Sequence, residues 1–481
     1  MKRTNITNDE LDSVELVQND PIIVNELNNY NESSMIDTLK KLKEKYKHLN
    51  ISYDKNNYVL IRYAGGFENV LVPPEDECRS LLLFFDGSKF NMIYSQFDKI
   101  RCNDEAEKFI NNNDIKKLEY EYCYEGTMFT LLWCSINNHW RYHTRSCLSA
   151  DNSEWQKGMP YGVLIRDSMQ QNNIVLPDTP DGKFYEKDCH YFFVLVDYRN
   201  KNISSYEDKF KEKKYSKIIF ISKRKNGTMY DLPINEKTVT ELGYMLPEKG
   251  NFKSLVEVKK DLETKSKFEE GWIIKAYLND KKYVVMKLQT EMYKKVKNIK
   301  PNVNNKWTLF LELYQKFKLT EYLEYLPESD TKIVKIIHTT FLILATELLQ
   351  LYHKTRKKRN DDLYKILPPC YKKALFEIHG MFIKKKTTEL KNGESTDELN
   401  MEVRADKQSI SISPKDISSY LRSINSTSLS NLIVDRILIL SNVYTDNDIF
   451  NTRCQDALIL AFNIEPSVNN KKKIENIMKR M

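Results

Sequence analysis

Cys123-Tyr124-Glu125-Gly126-Thr127 is the stretch on which the reading of this chain turns. An acid and a glycine close a short polar segment, and an apolar run, residues 128–134, follows at once. Asn137-Asn138 then turns the chain into a second strand ending at Thr144-Arg145-Ser146. Moving outward, the same punctuation recurs. Residues 58–63, 80–85 before Asp86-Gly87, 189–196, and 217–222 before Asn226-Gly227 all read as strands bounded by turn signals. The spacing predicts a β-rich domain from about residue 51 to 289, with a few inserted helices, one near residues 255–265.

Upstream, Ser33 or Ser34 can cap a helix reaching Tyr46, with Ile36, Leu39, Leu42 and Tyr46 on one face. The first thirty or so residues are rich in Asn, Asp and Glu without periodicity, which predicts a mobile leader over 1–32. Downstream of about Tyr293 the period changes to that of helices, at residues 307–325, 332–352, 371–386, 429–442 and 454–462. The polar stretch 387–407, which contains Asn392-Gly393, predicts an exposed loop or hinge. The expected fold class is α+β: a β-rich domain over 33–295, then an all-helical domain over 296–481.

Composition narrows the function. With 481 residues, 41% hydrophobic and 30% charged, and a mean hydropathy of −0.58, the chain reads as soluble and globular. Only 13 residues are glycine, about 3% against a usual ~7%. Neither the nucleoside-triphosphate loop (Gly, four residues, Gly-Lys-Ser/Thr) nor the dinucleotide turn Gly-x-Gly-x-x-Gly occurs. The eight cysteines include no Cys-x-x-Cys pair, which argues against a zinc knuckle, and the polar N-terminus predicts reduced thiols in a cytoplasmic setting. The most apolar long stretch, 333–352, still carries Lys335, His338 and Glu347 and reads as a core helix, not a membrane span. The seven histidines lack metal-ligand spacing, and His338 and His379 read as core residues on apolar helical faces. No metal site is expected beyond a nucleotide-linked magnesium.

Five segments of the β-rich half stand in a suggestive order: Glu77-Cys78-Arg79-Ser80; Cys123 through Thr127; Phe192-Phe193-Val194-Leu195-Val196; Glu269-Glu270-Gly271-Trp272; and Val285-Met286-Lys287-Leu288-Gln289. This order resembles that of the phage-type ATP-dependent RNA ligases, within the lysine-dependent nucleotidyltransferases, over about residues 55–295. The resemblance implies a pocket for ATP and magnesium and a lysine that becomes covalently adenylated. It assigns nucleotide contacts to Arg79, Glu125, Gly126, Arg145, Glu270 and Lys287. Three positions depart from the pattern: Cys123 replaces the nucleophilic lysine, Val194 the glutamate after phenylalanine, and Gln289 the second lysine of the closing pair.

The first departure bears most on the chemistry. Adenylate transfer needs a nitrogen nucleophile that forms a phosphoramidate, which a cysteine cannot form, and no histidine stands near Cys123 in sequence to activate its thiol. The leading expectation is therefore a catalytically degenerate, ligase-like protein that binds nucleotide, RNA or both as a processing, repair or assembly factor. Two other readings stay open. One is an active ligase in which Lys116, Lys117 or Lys287 carries the adenylate. The other is an interaction protein working through its helical half.

Charge is uneven along the chain. Residues 354–386 hold eleven Lys/Arg and three acids, a net of +8, equal to the formal charge of the whole chain. Lys354, Arg356, Lys357, Lys358, Arg359, Lys372, Lys373, Lys384, Lys385 and Lys386 are the candidate RNA contacts. Tyr352, Tyr364 and Tyr371 could stack unpaired bases among them. The same helical domain could instead take a protein partner. Abundant Lys, Asn and Ile with little Gly is in keeping with an AT-rich genome. Similar ligase-like proteins occur in large cytoplasmic DNA viruses, and a viral source would imply the host cytoplasm.

Overall fold

In a computed structural model the described residues run from 21 to 443, apart from 31, 33, 67–69, 155–157, 180–181, 201, 266–267, 302, 304–305, 326–330, 358–359 and 394–410. The fold is α+β. The chain divides into two compact units, Met1–Lys295 and Val296–Met481. No described helix is long and apolar enough to cross a membrane.

The strands of the first unit are β1 (Leu49–Tyr53), β2 (Tyr58–Tyr63), β3 (Leu81–Phe85), β4 (Phe90–Ser95), β5 (Arg101–Cys102), β6 (Lys117–Cys123) and β7 (Thr127–Cys134). They continue as β8 (His139–Thr144), β9 (Cys189–Asp197), β10 (Ser216–Lys225), β11 (Lys249–Gly250), β12 (Gly271–Tyr277) and β13 (Tyr283–Gln289). Three sheets result, in the orders β1-β2-β3-β4, β10-β9-β7-β8 and β11-β6-β12-β13-β5. All ladders are antiparallel except the two-residue pairing of β5 with β13. Both edges of the third sheet are thus strands of two residues.

Alternation decides which faces are buried. In β2, Val59, Ile61 and Tyr63 pack under the helices Ile22–Asn28 and Met35–Lys45, while Tyr58 and Leu60 turn the other way, toward Leu132 and Phe192. The turns sit where the sequence placed them. Gly87 and Gly227 take φ of 101° and 77°, and Asn138 is left-handed at 50°.

Several expectations need correcting. Part of the predicted leader is ordered: Ile22–Asn28 is helical, with Ile23, Val24 and Leu27 buried, because its apolar residues find the β1–β4 sheet. Residues 1–20 lie outside the described part. Ile36 does not share the buried face of its helix and is 41% exposed. In the second unit the predicted helix 307–325 is two helices, Lys306–Gln315 and Leu319–Leu323, broken where Phe317 turns left-handed at φ 57°. Finally, Pro369–Gly393 stays helical through the start of the predicted polar loop.

The remaining helices of that unit are Thr331–Tyr352, Asp361–Ile366, Pro414–Ser423 and Ser426–Val443, with a π-helical turn at His353–Lys357. Leu344, Leu348, Leu351, Tyr371, Leu375, Ile417, Leu421 and Leu429 are buried. The helix predicted at 454–462 lies outside the described residues. His338 is exposed and hydrogen-bonds Tyr314, contrary to its expected core position.

Candidate functional site

Three of the five segments meet at one end of the third sheet by strand register alone. Cys123, the last residue of β6, lies opposite Gly271, the first residue of β12, and Gly271 lies opposite Gln289, the last residue of β13. Gly271 takes φ 141°, and a Cβ there would stand 2.1 Å from the Leu288 carbonyl oxygen, so only glycine fits this junction.

Glu270, just before that glycine, is 2% exposed and receives hydrogen bonds from Lys287 Nζ at 2.9 Å and Gln289 Nε2 at 2.8 Å, both at Oε1. Burial alone would raise its pKa, but Lys287 and Gln289 outweigh that and hold it below the ordinary carboxylate value. Burial likewise opposes charge on Lys287, yet the Glu270 carboxylate beside it pushes its pKa above that of a free lysine. The pair is therefore ionised at neutral pH. The Cys123 thiol, buried beside this pair, is driven well above its usual pKa by burial and then by Glu270, and it stays protonated.

Glu125 has a different setting. Its carboxylate accepts from the Ile203 and Ser204 backbone amides at 2.8 and 2.6 Å, from Asn202 at 3.1 Å and from the Tyr293 hydroxyl at 2.7 Å. Both oxygens are spent on latching the loop after β9. Gly126 is needed for close approach, since a Cβ there would lie 2.3 Å from the Leu195 carbonyl oxygen and 2.8 Å from Val194 Cγ1. Val194, in β9 opposite Met128, thus packs against the glycine of the second segment.

The first segment supplies Arg79, whose buried Nε has no hydrogen-bond partner. Burial lowers its pKa to about 10, with a further push from Arg145. The Arg145 guanidinium stacks 5.0 Å from the Tyr63 ring centroid. Arg79 also feels the Glu270 charge, which ties this basic cluster to the end of the third sheet. Lys117 lies opposite Tyr277 at the far end of the β6–β12 ladder. Six residues of strand, roughly 20 Å, separate it from Cys123. Lys116 is further away still, which leaves Lys287 as the lysine beside Glu270 among the described residues.

The helical candidates are only partly gathered. Arg356 stacks on Tyr364 at 4.9 Å and Lys372 lies over the same ring at 6.0 Å. Lys372 donates to the Lys365 carbonyl, Lys373 pairs with Glu377, and Lys385 pairs with Asp416 at 2.6 Å. Lys354, Lys384 and Lys386 are exposed. The side chain of Lys357, together with Lys358 and Arg359, lies outside the described part. Lys372 and Lys384 are twelve helical residues apart, roughly 18 Å. Of the three tyrosines expected to stack bases, Tyr352 and Tyr371 are 6% and 0% exposed and serve the core, leaving Tyr364.

Sequence reasoning missed Asn103, which holds Gln289, as well as Tyr293 and the loop 202–204, which hold Glu125. It also passed over Arg62, beside Arg145. None carries a motif, and each reaches the site through pairing with distant chain.

No protein-family model matches the chain, and no curated protein matches it. Among solved structures it is similar to an archaeal ATP-dependent RNA ligase, recorded in two forms, at 12% identity and TM-score 0.38, over 62% of this chain and 73% of the ligase. It is also similar to a putative ATP-dependent DNA ligase from Aquifex aeolicus, at 13% identity and TM-score 0.38, over 63% of this chain and 75% of that one.

Proposed function

We propose that residues 33–295 form a ligase-like nucleotide-binding domain that holds its ligand without covalent adenylate transfer, and that the helical residues 296–481 supply contacts to RNA. The observation that carries this reading is the protonated, buried thiol of Cys123 in register with Gly271 and Gln289, where the family pattern places a nucleophilic amine. A thiol with a raised pKa is a poor nucleophile, and phosphoryl-nitrogen chemistry is closed to it. The partly buried Arg79, whose Nε has no hydrogen-bond partner and which feels the charge of Arg145, suits the phosphates of a nucleotide. Magnesium fits less well, because the carboxylates of Glu125 and Glu270 are both committed to protein donors.

A second reading rests on Lys287, whose amine lies beside Glu270 and Cys123 and could take the adenylate. Its ion pair and raised pKa weigh against nucleophilic attack at neutral pH. One experiment separates the two. The full chain is incubated with α-labelled ATP or GTP and magnesium, then run on a denaturing gel beside Cys123→Lys and Lys287→Ala. The expected wild-type result is no labelled band, with ATP still raising the melting temperature. A wild-type band abolished by Lys287→Ala would establish the second reading instead.

A further inference from the structure

The turn between the helices Lys306–Gln315 and Leu319–Leu323 breaks a rule of helix ends. The Phe317 amide donates to the Tyr314 carbonyl at 3.1 Å and the Lys318 amide to the Leu313 carbonyl at 2.8 Å. This is the pair of bonds with which a helix closes over one left-handed residue, and that residue is usually glycine, sometimes asparagine, because a Cβ is disfavoured there. Here it is phenylalanine, at φ 57°. Burial does not offset the strain, since Phe317 is 76% exposed, more than any other large apolar side chain among the described residues.

The ring is nonetheless held in place. The Arg422 guanidinium lies 3.8 Å from its centroid and 4.6 Å from that of Tyr314, and Arg422 is itself fixed by donating to the Tyr314 carbonyl at 2.6 Å. Gln315 ties the same helix end to the end of Pro414–Ser423 by donating to the Leu421 and Ile424 carbonyls at 2.8 and 2.7 Å. With a cation against one face, exposure of this size leaves the other face of the ring open to solvent. Lys316 and Lys318 flank it in the chain, both exposed. Their ion pairs with Glu312 and Glu321 lie at the surface, where such pairs are weak and a phosphate can replace the carboxylate.

An open aromatic ring takes the π-face of any unpaired base, and the phosphates on either side of that base need cations. A lone ring among three cations suits such a strand better than an apolar peptide, which would leave the charges without partners. We propose that Phe317, backed by Arg422 and flanked by Lys316 and Lys318, is a stacking platform for an unpaired base of single-stranded RNA. This rests on the RNA-binding reading of residues 296–481 and adds to it a site outside the basic stretch 354–386.

The test uses the full chain and a short RNA carrying 2-aminopurine, whose fluorescence falls when it stacks, offered as a single strand and as a duplex of the same length. The wild type is expected to bind the single strand and quench the reporter. Phe317→Gly should weaken single-strand binding about tenfold and lose most of the quench, with duplex binding unchanged. Its unliganded melting temperature should stay near that of the wild type, because glycine suits the left-handed turn. Phe317→Trp should keep both affinity and quench. Should Phe317→Gly fail to fold, Phe317→Asn, the other residue at home in such a turn, serves the same comparison. Wild-type binding that the loss of the ring leaves unaltered, or a loss equal for single strand and duplex, would overturn the platform while the RNA reading stands. No RNA binding by the wild type overturns both. Self-association in sedimentation in place of RNA binding, abolished by Phe317→Gly, would identify a second copy of this chain as the occupant and likewise overturn both.

Discussion

Asn103 and Gln289 bind each other twice across 186 residues of sequence: the Asn103 amide donates to Gln289 Oε1 at 3.1 Å, and the Gln289 backbone amide donates to Asn103 Oδ1 at 2.9 Å. With its oxygen so engaged, the Gln289 side chain can turn its own amide only toward Glu270. Asn103→Ala removes both bonds and leaves a buried amide oxygen and a backbone N–H unpaired. It should destabilise the first unit by about 1–3 kcal/mol. Urea unfolding followed by tryptophan fluorescence would read the loss, and a change within error would show that water replaces Asn103 at no cost.

The Lys287–Glu270 pair makes an asymmetric prediction. Glu270→Gln strands a partly buried ammonium and should cost about 3 kcal/mol, whereas exchanging both residues for apolar ones of similar size should cost much less. A double-mutant comparison of melting temperatures checks this. The pH dependence follows from the two directions. Glu270, lowered in the folded state, contributes stability above the ordinary carboxylate pKa that is lost as pH falls through its folded value. Lys287, raised in the folded state, contributes fully below the ordinary lysine pKa and loses that contribution only as pH rises through its higher folded value.

Two histidines buried between the first and second sheets should make the domain acid-sensitive. His143 and His190 are fully buried near Tyr94, and burial, with Arg141 beside one and Arg224 beside the other, lowers each pKa to about 3, while the Asn226 contact of His190 acts the other way. Unfolding lets them take up protons below about pH 6.5, so stability falls as pH drops from there toward 3. At pH 5 the loss is roughly 2 kcal/mol per histidine. Urea midpoints between pH 7 and 5 should decline in the wild type and flatten in His143→Gln/His190→Gln; parallel declines would remove these residues as the cause.

Gly126→Ala should disturb β9 rather than the turn between β6 and β7 that carries it. The added methyl group meets the Leu195 carbonyl oxygen, which a side-chain rotation cannot move. Overpacking of this kind costs about 1–3 kcal/mol. A drop in melting temperature of several degrees is expected, and Val194→Ala should not relieve it, because the closer contact is with backbone.

The strands were legible because their code is local. Aromatic and β-branched residues fill 58–63 and 189–196, and Asp86-Gly87 and Asn226-Gly227 mark the turns beyond the other runs. The helix Ile22–Asn28 was not, because Asn and Glu neighbours hide three apolar residues whose partner is a distant sheet. Pro414–Ser423 did carry a signal that the reading passed over: Ser413 and Asp416 form a reciprocal cap around Pro414. At the candidate site, the order of segments along the chain was legible, and strand register brings Cys123, Gly271 and Gln289 together. The engagement of Glu125 with residues 202–204 and Tyr293 was not, since a carboxylate's partners are set by tertiary packing and leave no periodic trace.

The two-residue edges of the third sheet have a consequence for life in a crowded solution. A strand recruits a stranger by offering a row of unsatisfied amides and carbonyls, and Lys249–Gly250 and Arg101–Cys102 each present too few to hold one in register. The sheet that gathers the candidate site is thus a poor seed for fibrils or for unwanted copies of itself, although its inner strands β6, β12 and β13 are long and rich in aromatic and β-branched residues.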